Sequence, residues 1–150
     1  MTSPAAPSGR AWIDGASRGN PGDAGFGVFL ETDRTPEEIV GYLGKATNNV
    51  AEYAALIAVL TLAADRGMKK LVVYSDSQLL VRQVNGAYRV KAPHLVPIFL
   101  QALKLRQTIP DFTIEHVARE ENKEADRLAN QAIEQRAELP SWLEFEVPSQ

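Results

Sequence analysis

Four carboxylates stand out in this chain because of their neighbours: Asp14, Glu52, Asp76 and Asp126. Asp14 ends the apolar stretch AWID and Asp76 ends LVVYSD, so each sits where a short strand runs out. Glu52, within NNVAEYAAL, shares a helical stripe with Leu56, Val59 and Ala63, which aims its charge at the side meant for the core. Asp126 is followed at i+3 and i+7 by Ala129 and Ile133, and so borders the inward face of a later helix. Taken singly, each has an ordinary explanation. An Asp at a strand end often starts a turn, a Glu near a helix start gains about 0.3–1 kcal/mol from the helix dipole, and Asp126 can simply face solvent. Taken together they are costly, because clustered carboxylates without a cation raise one another's pKa values. The chain has no cysteine and no histidine among these motifs, which leaves a nucleophile triad or an acid–base pair poorly supported. An all-oxygen cluster instead suits hard divalent cations such as Mg²⁺ or Mn²⁺. Two such ions about 3.5–4 Å apart are the usual device for in-line phosphodiester hydrolysis.

The elements that must position these groups follow from periodicity and turn signals. AWID (residues 11–14) reads as a short strand ended by the turn-rich loop GASRGNPG. GFGVFLET (25–32) and EEIVGYLGK (37–45) read as an antiparallel meander. Residues 50–66 form an amphipathic helix capped by Asn48 or Asn49 and closed by Gly67. KKLVVYSDS (69–77) is nearly all apolar, as expected of a central parallel strand. Short helices follow over 77–84 and from Pro93 to about 107, then a strand over 111–118 and a helix over 120–136. A mixed sheet flanked by helices follows, with chemistry expected at the carboxyl ends of its parallel strands. Adjacent parallel strands would bring Asp14 and Asp76 out side by side.

Length and composition fit one globular domain of 150 residues, 45% hydrophobic and 23% charged. Residues 1–9 are expected to be a disordered leader, 10–136 the domain, and 137–150 a tail. In that tail Trp142, Leu143, Phe145 and Val147 either fold back or form an exposed binding segment. No apolar run approaches the roughly 20 residues that span a bilayer, so a cytoplasmic protein without membrane contact is expected. The net charge of −3 is unevenly spread: residues 67–106 hold seven basic residues (Lys69, Lys70, Arg82, Arg89, Lys91, Lys104, Arg106) against the single acid Asp76. That segment is either a solvated basic face or a surface that contacts phosphates.

The stretches DGASRGNPGDAGFGV, TNNVAEYAAL, VVYSDSQLLVRQVNGAYRVK and HVAREENKEADRLANQA resemble ribonuclease H of type 1, in that family's order, over about residues 10–136. The resemblance implies an α/β ribonuclease H-like fold: a five-stranded mixed sheet of order 3-2-1-4-5, flanked by helices, its first three strands antiparallel. It also implies a metal-dependent endonuclease that cleaves the RNA strand of RNA–DNA hybrids with two Mg²⁺ or Mn²⁺ ions, leaving 5′-phosphate and 3′-hydroxyl ends. The family's acidic tetrad falls on Asp14, Glu52, Asp76 and Asp126, with Asp14 bridging both ions. Asn20, Asn48, Asn49, Ser77 and Gln78 become candidates for the hybrid's minor groove, where 2′-hydroxyls distinguish RNA. Capping and groove contact are compatible roles for Asn48 and Asn49. Arg82, Arg89 and Lys91 become candidates for phosphate contacts that position without reading sequence. No obligatory protein partner is implied, and a monomer is expected.

Two departures from the family's pattern matter. Some members insert a basic protrusion after the second helix, whereas here NGAYRVKAPHL leads almost directly into the next helix, so a shallow salt dependence is expected. Some carry a histidine between the last strand and last helix; here that connection is VAREEN, which makes Arg119 the candidate to hold the scissile phosphate or release product. His116 lies inside the expected strand and reads as structural. A non-catalytic hybrid-binding module would be expected to have a broken tetrad, and a resolvase-, transposase- or exonuclease-like relative would not share TNNVAEYAAL and SDSQLLVRQVNG. A small-molecule phosphatase of the P-loop kind would need a phosphate-cradling glycine loop that is absent here.

Overall fold

A computed structural model describes residues 7–149, and the leader expected over 1–9 falls largely outside them. Its last three positions do not: Ser8 and Gly9 open β1, and Pro7 accepts a backbone hydrogen bond from Lys69 at 2.8 Å. The elements run β1 (Ser8–Gly19), β2 (Gly22–Glu31), β3 (Glu37–Ala46), α1 (Asn48–Asp65), β4 (Lys70–Ser75), α2 (Gln78–Val84), α3 (Val96–Arg106), β5 (Asp111–His116) and α4 (Lys123–Glu134). They build one five-stranded sheet of order β3-β2-β1-β4-β5. β1, β2 and β3 are antiparallel, and β4 is parallel to both β1 and β5.

Four local expectations need correction. The stretch read as the loop GASRGNPG continues β1 to Gly19, paired with β2 as far as Gly22. A two-residue turn, Asn20 and Pro21, lets the ladder run to its end despite the turn-forming composition. The cap of α1 is Thr47, not Asn48 or Asn49: its hydroxyl accepts from Val50 N at 3.2 Å. α1 is buried almost all round instead of along one stripe, with Val50, Ala51, Ala63 and every residue from Tyr53 to Leu60 enclosed. The sheet covers one side, and α3 covers another, with Phe99 edge-on to Tyr53 at 6.3 Å between ring centroids. The last helix is interrupted: a single 3-10 turn over Arg119–Glu121 precedes α4, and Asn122 separates the two with φ −118°.

Both sheet edges are blunted. At β3, Tyr42 N donates to Ala137 O at 2.8 Å; at β5, Asn85 Nδ2 donates to Ile114 O at 3.2 Å. From Ala137 the chain runs on with Leu139, Trp142, Leu143, Phe145 and Val147 partly buried against the core. Gln101 Nε2 holds it through Glu144 O at 2.6 Å.

Candidate active site

The sheet itself brings two of the four carboxylates together. The parallel β1–β4 pairing ends with Ile13 opposite Ser75, so Asp14 and Asp76 are the next residues on adjacent strands, at their carboxyl ends. Asp14 stays in register with β2 opposite Gly27, which keeps its backbone rigid where β4 has already stopped. The two helices approach at glycines. A Cβ on Gly15 would lie 2.3 Å from Glu52 N and 2.4 Å from the Ala51 carbonyl carbon, so only glycine lets α1 settle on β1 here. A Cβ on Gly27 would lie 2.5 Å from Leu128 Cβ and 2.6 Å from Ala129 N, so α4 reaches the sheet beside Asp14 by the same device. Glu52 and Asp126 therefore come to the strand ends from two different helices. All four carboxylates line one polar cleft of about 420 Å³.

Their electrostatics are those of a cluster lacking a counter-charge. The Asp14 carboxyl is pushed up to about 8, first by burial, then by the Asp76 charge, a hydrogen-bonding contact with Asp126, and the Asp126 and Glu52 charges. Glu52 is pushed up to about 7 by burial and by Asp76, against a hydrogen bond from Ser77 that favours its ionised form. The Tyr53 phenol is raised by burial and by Glu52, and its hydroxyl donates to Gln83 Oε1 at 2.8 Å. Arg119 also lines the cleft.

Whether the cleft suits divalent cations can be judged from its donors. Among the described residues, no three Asp, Glu, His or Cys side chains are oriented to enclose an ion as they stand. The donors are nevertheless oxygen throughout, four carboxylates with no sulfur or imidazole, which is the set hard cations take. The neighbouring Asp76, Asp126 and Glu52 charges push the Asp14 carboxyl up, a repulsion that a divalent cation would relieve. The residues fit such ions in kind.

The substrate-contact candidates divide. Asn48, Ser77 and Arg119 line the cleft with the carboxylates. Ser77 also caps α2, accepting from Leu80 N at 3.1 Å. Asn20 lies outside the cleft lining and accepts from Asn48 N at 3.1 Å, which ties the β1–β2 turn to the start of α1. Asn49, Gln78, Arg82, Arg89 and Lys91 do not line the cleft, and the Asn49 Oδ1 atom is buried without a hydrogen-bond partner. Arg82 lies over the Tyr88 ring and hydrogen-bonds its hydroxyl. Sequence reading passed over Ser17 and Asn130, which also line the cleft. Asn130 Nδ2 donates to the Asp126 backbone carbonyl at 2.9 Å and lies 3.4 Å from its Oδ1. Its i+4 spacing from Asp126 was the available signal.

Comparison with known proteins points one way. A family described as reverse transcriptase-like matches residues 13–132. Ribonuclease HI of Halobacterium salinarum is 43% identical over 126 residues, covering 83% of this chain and 63% of that protein. Its crystal structure superposes with a TM-score of 0.80, covering 98% of the solved chain. A bifunctional protein of Mycobacterium tuberculosis is 42% identical over 128 residues, 83% of this chain and 35% of that protein. This chain thus spans about a third of the mycobacterial relative and under two thirds of the halobacterial one. The crystal structure of LC11-RNase H1 in complex with RNA/DNA hybrid is 37% identical with a TM-score of 0.79, covering 85% of this chain and 98% of that one.

Proposed function

The chain belongs to the ribonuclease H family, type 1, and on that premise we propose that it is an endonuclease hydrolysing the RNA strand of RNA–DNA hybrids. The observation that carries the reading is the convergence of Asp14, Glu52, Asp76 and Asp126 from two strand ends and two helices onto one cleft. The hybrid bound to LC11-RNase H1 supports the substrate class.

Two Mg²⁺ or Mn²⁺ ions, when bound, would activate water and neutralise charge on the phosphate and leaving oxygen, giving 5′-phosphate and 3′-hydroxyl ends. Asp14, central in the cluster and buried, would hold the ions together with Glu52, Asp76 and Asp126. Burial of Asp14 makes that carboxylate a strong ligand once deprotonated, because its charge has little competing solvation. Ser77 lies beside Glu52 and partly offsets the burial that pushes its carboxyl up. Arg119 brings a positive charge to the cleft rim for the scissile phosphate. Asn48 and Ser77 offer short polar groups at the same rim to sense 2′-hydroxyls. Arg82, Arg89 and Lys91, beyond the cleft, would hold backbone phosphates.

The test is hybrid cleavage by Asp14→Asn and Asp76→Asn with Mg²⁺ supplied. Each should lose at least about a hundredfold in rate, the scale of losing one preorganised electrostatic contact, while keeping its circular dichroism spectrum. Either variant cleaving at the wild-type rate would sink the assignment.

A further inference from the structure

Asn122 is 1% exposed and sits between the 3-10 turn and α4. Its Nδ2 donates to the Ile13 carbonyl at 2.9 Å, across 109 positions of sequence. Its own carbonyl accepts from Asp126 N at 3.0 Å. One residue thus bonds the backbone immediately before Asp14 and, on its other side, the backbone of Asp126. The Ile13 bond falls at the last residue of the β1–β4 pairing, one position before Asp14.

As a stabiliser, this side chain is a poor choice. Its Oδ1 is buried without a partner, and an orphaned acceptor offsets or exceeds what one hydrogen bond returns. It makes no side-chain cap on α4. An apolar residue would remove the orphaned Oδ1 but leave the Ile13 carbonyl without its Asn122 donor. What an apolar residue lacks is the donor that fixes the start of α4 against residue 13. Carboxylates sharing a cation need that spacing held to a fraction of an ångström.

The geometry points to Asn122 as a positioning residue of the carboxylate site, holding Asp126 at the distance from Asp14 at which the two share a divalent cation. This deepens the reading of the preceding subsection and rests on it. The test is Mn²⁺ affinity by calorimetry at pH 8 for wild type, Asn122→Ala, Asp126→Asn and the double variant, with hybrid cleavage alongside. Asn122→Ala should bind Mn²⁺ about tenfold more weakly and add less than about twofold in the Asp126→Asn background, as expected of two residues acting through one contact. Its kcat should fall about tenfold with KM within about threefold, the pattern of a lost transition-state interaction and not of lost substrate binding. Its metal-free melting temperature should stay within about 4 °C of wild type, the shift that about 1 kcal/mol gives at this size. Asn122→Asp, which keeps the shape but presents an acceptor to the Ile13 carbonyl, should also bind Mn²⁺ more weakly, and decides the matter if the alanine variant does not fold. An Asn122→Ala protein with wild-type Mn²⁺ affinity, or the same tenfold loss recurring in the Asp126→Asn background, overturns the inference. A wild type that neither binds Mn²⁺ nor cleaves hybrid overturns the proposed function and this inference with it. A wild type that does both, matched by Asn122→Ala, overturns this inference alone.

Discussion

Replacing Asp14 with Asn should flatten the pH dependence of the metal-free protein's stability. The Asp14 carboxyl, ordinarily near 3.8, is raised to about 8 in the fold, so the folded state keeps a proton that the unfolded chain has lost. Stability is therefore full below about 3.8, falls as pH rises through the interval, and has lost the whole contribution above about 8. At about 1.4 kcal/mol per pH unit the full shift corresponds to about 6 kcal/mol, an upper limit. Asp14 shares its repulsion with Glu52, Asp76 and Asp126, and water entering the cleft relieves part of it. We expect about 2 kcal/mol between pH 5 and pH 8.5, or about 4–8 °C in melting temperature for a domain of this size. The assay is thermal unfolding in a chelator at both pH values. Wild type should melt lower at pH 8.5, Asp14→Asn should lose most of that difference, and Mg²⁺ should restore stability to wild type at pH 8.5 but not to the variant. An Asp14→Asn protein with the wild-type pH slope, or a wild type that gains stability towards pH 8.5, would refute the reasoning.

Three further outcomes are expected. Gly27→Ala should destabilise by about 2–3 kcal/mol, because its methyl would strike Leu128 and the Ala129 backbone on α4 and nothing there is a flexible side-chain end; urea unfolding reads it, and an unchanged midpoint would remove Gly27 from the account. Arg119→Ala should slow multiple-turnover hybrid cleavage about tenfold, since it removes one charge-assisted contact to phosphate; unchanged turnover would retire its role. With Arg82, Arg89, Lys91 and Arg119 as the phosphate contacts, hybrid affinity should fall about fifty- to a hundred-and-fiftyfold between 50 and 200 mM salt. A slope twice as steep in a filter-binding titration would mean that further cations contact the hybrid.

The parts of the site legible in the sequence were those whose context contradicts their chemistry. Asp14 and Asp76 close apolar runs, and Glu52 shares a stripe with residues that the fold buries completely. Family motifs then supplied what spacing alone did not, including the strand order. What stayed hidden depends on partners far away in the chain. Residues 15–19 look like a loop by composition but are held straight by β2. Three cap-capable residues stand in a row at 47–49, and only the backbone path selects Thr47. Asn122 breaks the last helix because its amide is bound to Ile13, a contact that no local pattern announces. α1 reads as amphipathic because the covering α3 is invisible to its own periodicity.

Hydrolysis of the hybrid's RNA strand is tested by end-labelled cleavage of RNA–DNA, RNA–RNA, DNA–DNA and single-stranded RNA, each with Mg²⁺ and with Mn²⁺. The RNA strand of the hybrid should be cut internally to products with 5′-phosphate and 3′-hydroxyl ends, with no cleavage in a chelator. No cleavage of the hybrid with either ion, or equal cleavage of DNA–DNA, would contradict it.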